Sequence, residues 1–447
     1  MSRTLKIRTL KLFHFVGSVA MFVGFWYMFF LGKHSAYERH WSQIALAFIY
    51  AALMFLLNRI YDSYSIGYRG ASENAYSQTI SDFFSLLLVW IISMMMYRTF
   101  VSPLPLLALL AAQVAWNILW CVFAKYIYSK LYKNRKTIIV YRDEDDLERI
   151  SEIYRFKNKF DVKKQIKCPD DYKELEEELE GFEAVVVSGV NADLRNGIAK
   201  FCVENKVKGY FVPHVGDIIM QGAGYMQSFY IPVLNVKGAN PTPEYSFVKR
   251  LFDISASALA LILLSPIFFV TALAIKINDG GPVFYKQIRL TKNRREFRIL
   301  KFRSMRVDAE KDGVARLSSG QADDRITSVG HIIRACRIDE LPQLWNIFVG
   351  DMSIVGPRPE RPEISEQYEE DMPAFGLRLQ VKAGLTGNAQ VYGKYNASPH
   401  DKLIMDLMYI NRMSVLEDLK IIFATVRILF KKESTEGVEV GKVTAKV

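Results

Sequence analysis

The sequence predicts a mixed membrane protein: four apolar spans, an α/β domain, a bent membrane helix and a last water-facing domain. Three observations predict it. Half of the 447 residues are hydrophobic and only 23% are charged, which excludes a disordered chain. Several uncharged runs approach or exceed twenty residues, a length that a globular core does not need. Strand-like and helix-like segments then alternate from Lys136 onward, as they do around a parallel sheet. The boundaries read 1–136, 137–236, 237–278 and 279–447. The four cysteines, Cys121, Cys168, Cys202 and Cys336, show no C-x-x-C spacing. That argues against a disulfide scaffold or a zinc knuckle and fits a reducing compartment.

Residues 12–31, 41–57, 83–97 and 99–124 carry no Asp, Glu, Lys or Arg. A hydrocarbon layer of about 30 Å needs about 20 helical residues. The second and third runs are short, so Asn58, Ser81 and Asp82 are expected near the headgroups. The first run is too long for a signal-peptide core and lacks a small-residue cleavage site, so it reads as an anchor. Arg3, Lys6, Arg8 and Lys11 precede the first span, while Lys125, Lys130, Lys133, Arg135 and Lys136 follow the fourth. Positive residues stay on the cytoplasmic side, which puts both ends of the bundle there. A plain anchor is the simplest role for it.

In the next domain, residues 137–141, 160–162, 184–188 and 208–212 are strand-like, with helical stretches such as 170–180 between them and a charged one running to about Phe156. A doubly wound parallel sheet follows. A dinucleotide site wants glycines after the first strand, where phosphate meets a helix N-terminus. This chain has Tyr141-Arg-Asp-Glu144 there, without glycine and with two acids. A structural or regulatory module is the reading.

Residues 254–275 form another uncharged run, interrupted by Ser265-Pro266. A fifth crossing and a re-entrant hairpin compete. Lys249 and Arg250 precede the run; Lys276, Lys286, Arg289, Lys292, Arg294 and Arg295 follow it. Positive charge on both sides favours a hairpin in the cytoplasmic leaflet, bent at Pro266, with the Ser265 hydroxyl serving freed backbone groups. Lys249, Arg250 and Lys276 would meet anionic headgroups.

Chemistry-bearing segments crowd the last third: Lys301-Phe-Arg-Ser-Met305 at the end of a strand-like stretch, Arg337-Ile-Asp-Glu-Leu-Pro342, Gly350-Asp351, Gly356-Pro-Arg-Pro359 and Lys382-Ala-Gly-Leu-Thr-Gly-Asn-Ala-Gln390. Pro342 fits only the first turn of a helix, which makes Asp339 the cap and Glu340 a first-turn acid. Two carboxylates beside arginines can hold Mg²⁺ against phosphate oxygens. One of them can instead attack phosphorus, and an ordinary cap is the third reading. Lys301, Arg303, Arg334, Arg337 and Arg358 are the cations for phosphate, with Arg358 fixed between two prolines.

Together these segments resemble the bacterial polyprenyl-phosphate glycosyl-1-phosphate transferases, monotopic sugar transferases that begin capsule, O-antigen and exopolysaccharide assembly. The resemblance runs from residue 247 to about 418. It takes in Asp253, Ser265-Pro266, Lys301-Phe-Arg303, Asp339-Glu-Leu-Pro-Gln-Leu344, Gly350-Asp351, Gly356-Pro-Arg-Pro359, Asp406-Leu-Met-Tyr-Ile410, Ser414 and Asp418. It implies an α-rich catalytic domain behind four spans and a Rossmann-like domain. By motif position Asp339 is the nucleophile that takes sugar phosphate from a UDP-sugar, and Glu340, with Asp339, holds Mg²⁺. Lys301, Arg303, Arg334, Arg337, Arg358, Thr386 and Gln390 are the implied substrate contacts. Undecaprenyl phosphate is the implied acceptor, the lipid bilayer of the bacterial inner membrane the setting, and glucose or galactose the favoured sugar. A homodimer and downstream glycosyltransferases are the implied protein partners; no nucleic acid is expected. Asn388 stands where an apolar or aromatic residue is frequent, and the glycine-free turn departs from members with a glycine-rich one.

Three further signals lie towards the C-terminal end. Residues 416–432 form a basic amphipathic helix, at the membrane surface or packed on a core. Gly437-Val-Glu-Val-Gly-Lys-Val-Thr444 misses the phosphate-loop spacing by one, and Val443 replaces its hydroxyl residue. Asn396-Ala-Ser398 is a sequon without meaning on a cytoplasmic face.

Overall fold

The computed structural model describes residues 3–30, 40–67, 69–132, 134–150, 159–226, 231–239, 241–307, 309, 323, 325–393 and 398–429. The chain forms two compact units, Met1–Val212 and Pro213–Val447.

The first unit begins with α1 (Arg3–Phe29), α2 (His40–Ile60), α3 (Ala71–Tyr97) and α4 (Leu104–Leu131). All four are long and apolar enough to cross a membrane. Phe22, Trp26, Leu46, Tyr50, Met54, Val89 and Leu109 fill the middle of the bundle, with Phe22 stacked on Tyr50. Phe48, Phe55, Leu119 and Val122 point outward, while Asp82, Gln113 and Asn117 are fully buried. An apolar outer face with the polar side chains turned inward is the arrangement of a membrane-embedded bundle. Asp82 and Ser81 therefore do not flank a short span. Helix α3 starts earlier than the uncharged run and puts both near its middle, where Asn117 takes up the Asp82 carboxylate. Asn58 stays near the end of α2 but is buried as well.

An α/β region follows: β1 (Arg135–Tyr141), α5 (Glu144–Ile150), β2 (Phe160–Lys167), α6 (Tyr172–Leu179), β3 (Ala184–Ser188), α7 (Ala192–Glu204) and β4 (Lys208–Phe211). The sheet is parallel in the order β2-β1-β3-β4. Every residue of β3 is buried, as a central parallel strand covered on both faces requires. Leu175, Leu179, Ile198 and Phe201 cover one face, and Leu147 and Ile150 the other. The predicted charged helix is seen as α5; its continuation to Phe156 lies outside the described residues. Asp143 Oδ1 accepts the amide of Asp146 at 2.9 Å, and Asp146 Oδ1 accepts the Ser188 hydroxyl at 3.1 Å. Gly189, at φ +68°, lies so close that a Cβ there would meet Asp146 Oδ2 at 1.7 Å. Asp146 thus fills the crevice between the carboxyl ends of β1 and β3, where the strand order reverses.

The sheet ends earlier than residue 236. From Pro213 the chain packs with the second unit through α8 (Val215–Gln221), β5 (Gly224–Met226) and β6 (Val233–Asn235). The reason is apolar burial: Ile218 joins a core with Tyr368, Leu403 and Leu407, and Asn411 donates to its carbonyl at 2.6 Å.

Next come α9 (Pro243–Leu263) and α10 (Ser265–Asp279), bent by 60° at Leu264. Pro266 occupies the first turn of α10, the one place where its missing N–H does no harm, and the Ser265 hydroxyl donates to Ile262 O at 2.8 Å. The flanking cations do not reach outward as expected. Lys249 pairs with Asp418 at 2.7 Å, Arg250 donates to the carbonyls of Ile347 and Phe348, and Lys276 donates to Gly280 O. Each is engaged by a protein acceptor instead.

The rest comprises the antiparallel hairpin β7 (Phe284–Leu290) and β8 (Glu296–Phe302), α11 (Ser328–Ala335), the 3₁₀ turn Ile338–Glu340, α12 (Gln343–Val349), β9 (Ser353–Val355), α13 (Pro362–Asp371), the 3₁₀ segment Pro373–Gln380, β10 (Gly384–Thr386), α14 (Asn388–Tyr392), α15 (Pro399–Ile410) and α16 (Val415–Leu429). Ile421 and Ala424 bury one face of α16 in the core, which decides for core packing on that face. Phe430, Lys431, Lys432, the near phosphate loop and Asn396 lie outside the described residues.

Candidate active site

The site forms where the end of β8, the turn after α11 and the turn after β9 converge. Pro342 has no N–H to continue an α-helical ladder, so residues 338–340 make a separate 3₁₀ turn and α12 starts after it. The proline position predicts Asp339 as the cap of α12; Asp339 lies instead inside the 3₁₀ turn, and Pro342 precedes α12. Arg337 enters the turn in the left-handed region, at φ 56° and ψ 19°. A non-glycine residue held there stores about 1–3 kcal/mol of strain, which the surrounding contacts must outweigh.

Those contacts centre on Glu340. Its Oε1 accepts Arg358 Nη2 at 2.9 Å and Lys301 Nζ at 3.5 Å; Arg337 Nη1 stands 3.8 Å from Oε2. Burial opposes its charge, but Arg358, Lys301 and Arg337 outweigh burial and hold the carboxyl well below the usual range. Asp339 next to it is pushed the other way, by burial and by the Glu340 charge, against the pull of Lys301, Arg334 and Arg337. Lys301 itself is lowered by burial, with Glu340 opposing. Two adjacent carboxyls with opposite tendencies divide naturally into a permanent anion and a reactive one.

Arg358 is aimed by its backbone. Arg378 Nη2 donates to the Arg358 carbonyl at 3.0 Å, and Arg289 Nη1 donates to the Pro359 carbonyl at 3.1 Å. Arg378 is buried against Asp406 at 2.6 Å and stands 3.5 Å from Glu360. Arg289 approaches the other Glu360 oxygen at 3.8 Å, and burial pushes its guanidinium down to about 10. The turn begins at Gly356, where a Cβ would come within 2.3 Å of Lys382 O. Only glycine permits that approach.

The structure thus gathers Asp339, Glu340, Lys301, Arg334, Arg337 and Arg358 around one point. It does not bring Arg303, Thr386 or Gln390 there. Arg303 leaves the strand pleat after Phe302 and forks onto Asp279, with Nε on Pro282 O at 2.7 Å. It ties the end of α10 to β8. Thr386 shares a hydrogen bond with Thr425 at 2.6 Å, and Gln390 donates to Leu385 O at 3.3 Å. Sequence reading missed Arg289, Glu360 and Arg378 as parts of this site. Arg289 read as a membrane flank, and only its distant partners reveal its place.

Among the described residues no group of three or more His, Cys, Asp or Glu could hold a metal. Mg²⁺ does not require one, because one or two carboxylates plus substrate phosphates satisfy it. The Asp339–Glu340 pair fits that donor set.

A family profile, bacterial sugar transferase, matches residues 244–432. The chain is 36% identical over 249 residues to a UDP-N-acetylgalactosamine-undecaprenyl-phosphate N-acetylgalactosaminephosphotransferase of Aeromonas hydrophila, covering 55% of this chain and 58% of that one. It is 40% identical over 242 residues to an undecaprenyl-phosphate glucose phosphotransferase of Komagataeibacter xylinus, covering 48% and 45%. To a UDP-glucose:undecaprenyl-phosphate glucose-1-phosphate transferase of Caulobacter vibrioides it is 38% identical over 201 residues, covering 43% of this chain and 74% of the relative. The chain belongs to the bacterial sugar transferase family. The match spans about half the length of the first two relatives. In this family member the whole convergence of Lys301, Arg334, Arg337, Asp339, Glu340 and Arg358 falls inside the matched segment.

Proposed function

We propose that the protein moves a sugar 1-phosphate from a UDP-sugar to undecaprenyl phosphate, giving undecaprenyl-diphosphate-sugar and UMP. The observation that carries this reading is a carboxylate, Glu340, held ionised by three cations beside a second carboxyl, Asp339. Phosphoryl transfer depends mainly on positioning and charge neutralisation, which such a cluster supplies.

Asp339 attacks the β-phosphorus, the bond to the bridging oxygen breaks, and UMP leaves with both electrons. The lipid phosphate then attacks the same phosphorus and frees Asp339. Lys301, Arg337 and Arg358 neutralise the diphosphate, while Arg334 and Arg337 favour the ionised nucleophile. Asp339 and Glu340 would hold Mg²⁺, which supplies further charge neutralisation on the donor. The names of the relatives carry different sugars, so the donor is left here as a UDP-hexose or its N-acetyl form.

The setting belongs to the same proposal. Helices α9 and α10 form a re-entrant hairpin in the cytoplasmic leaflet of the inner membrane. Leu259, Ile262, Leu263, Phe269 and Val270 support it as exposed apolar residues around the bend. The parallel sheet of the first unit is a Rossmann-like module on the cytoplasmic side. The test is UMP release from a panel of UDP-sugars with undecaprenyl phosphate and Mg²⁺. Asp339→Asn should abolish it, and normal turnover in that variant overturns the nucleophile assignment.

A further inference from the structure

The four-helix bundle holds a chain of buried polar groups that anchoring does not need. Asn117 on α4 donates to Asp82 Oδ2 on α3 at 2.8 Å, and its own Oδ1 is 2.9 Å from His14 Nε2 on α1. His14 Nδ1 is 3.0 Å from the Tyr64 hydroxyl in the segment after α2. An amide oxygen only accepts, so His14 carries its hydrogen on Nε2, and its Nδ1 accepts from Tyr64. Every donor in the chain therefore points toward Asp82.

Asn117 is the one hydrogen-bond partner of Asp82 among the described residues. No Lys or Arg pairs with it there. Asp82 Oδ1 is buried without a partner, and so are Gln113 Oε1, Ser18 Oγ and Ser77 Oγ. Gln113 lies four residues before Asn117, hence on the same face of α4, and donates to the Tyr50 hydroxyl at 2.6 Å. Cys121, one turn beyond Asn117, donates to Gln78 Oε1 at 3.3 Å. The titratable groups of the surrounding network are His14, Tyr50, Tyr64 and Cys121, none of which brings a fixed positive charge.

An ionised carboxylate without a cation in a membrane interior is far less favourable than its neutral acid. A proton on Oδ1 removes the charge and turns an unpartnered acceptor into a donor, in a region rich in unpartnered acceptors. We propose that the bundle contains a membrane-embedded proton-binding site, the proton being carried on Asp82 Oδ1. The site makes the bundle a titrating element rather than a plain anchor. This assignment is independent of the reaction proposed for the second unit.

The experiment uses the full-length protein in lipid nanodiscs. Infrared difference spectra between neutral and alkaline buffer should show a protonated-carboxyl band that shifts in D₂O and is missing from Asp82→Asn. That isosteric variant keeps an acceptor for Asn117. Dicyclohexylcarbodiimide, which reacts with protonated carboxyls in apolar surroundings, should modify Asp82, and the modification should fall about tenfold per pH unit above the titration point. It should be indifferent to exchange of sodium for choline. Identical infrared spectra for the wild type and Asp82→Asn overturn the proposal. Protection of Asp82 by sodium but not by choline also overturns it, because the occupant is then a metal cation.

Discussion

Arg378 donates to the main-chain carbonyl of Arg358 at 3.0 Å, so a buried guanidinium fixes the turn from which a second one reaches Glu340. The Asp406 carboxylate holds Arg378 in turn. Position is thus passed from α15 through the 3₁₀ segment Pro373–Gln380 to the Gly-Pro-Arg-Pro turn.

Breaking that buried pair should destabilise the second unit. Arg378→Ala leaves Asp406 charged and uncompensated and is expected to cost about 3–5 kcal/mol. Asp406→Asn should cost less, because the amide oxygen still accepts from the guanidinium. Denaturant titration of the detergent-solubilised protein measures both, and equal stability of Arg378→Ala and wild type would contradict this account.

Arg358→Ala should lower the rate without unfolding the protein, since its side chain is 41% exposed. Loss of one preorganised donor at developing charge typically reduces turnover by about 10²–10³. Arg358→Lys should recover only part of that, because an ammonium cannot reproduce the planar fork. UMP-release kinetics on both variants provide the comparison.

Asp339 and Glu340 should have opposite effects on stability. A carboxyl whose folded pKa is raised destabilises the fold above its unfolded value, about 3.9 for Asp. Asp339→Asn is therefore expected to raise the melting temperature at neutral pH while abolishing activity. A depressed carboxyl stabilises the fold above its unfolded pKa, and that stability is lost as pH falls through the folded one. Glu340→Gln should accordingly lower the melting temperature at neutral pH. On the acid side, activity should decline at a pH above the ordinary aspartate value, as Asp339 takes up its proton.

Removing Mg²⁺ with a chelator should stop UMP release, and Glu340→Gln should raise the Mg²⁺ concentration needed for half-maximal rate. A Mg²⁺ titration of wild type and variant decides it: superimposed curves would remove Glu340 from any role in holding the ion.

The re-entrant course proposed for α9 and α10 predicts one-sided exposure. With the native cysteines replaced, Lys286→Cys should resist an impermeant maleimide in intact cells and react after permeabilisation. Labelling from outside would establish a fifth crossing instead.

Much of this was legible because it rests on local rules. Runs without charge gave the four spans, alternation gave the parallel sheet, and Ser265-Pro266 gave the bend to within two residues. Lys301, Arg337 and Arg358 were legible as a set because each stands at a strand end or turn beside an acid motif. Arg303 misled because alternation stops at Phe302, one residue before it. Asp82 misled because uncharged length fixes a span only when the helix ends where the charges begin, and α3 does not. Arg289, Glu360 and Arg378 were illegible for another reason. Their meaning lies in partners tens of residues away, and neither spacing nor composition encodes such pairings.

The carboxylate of Asp146, lying against Ser188 and Gly189, has a consequence for the sheet that carries it. A tethered group has an effective concentration in the millimolar range or above, so a free phosphate ester would have to outcompete a resident that never diffuses away.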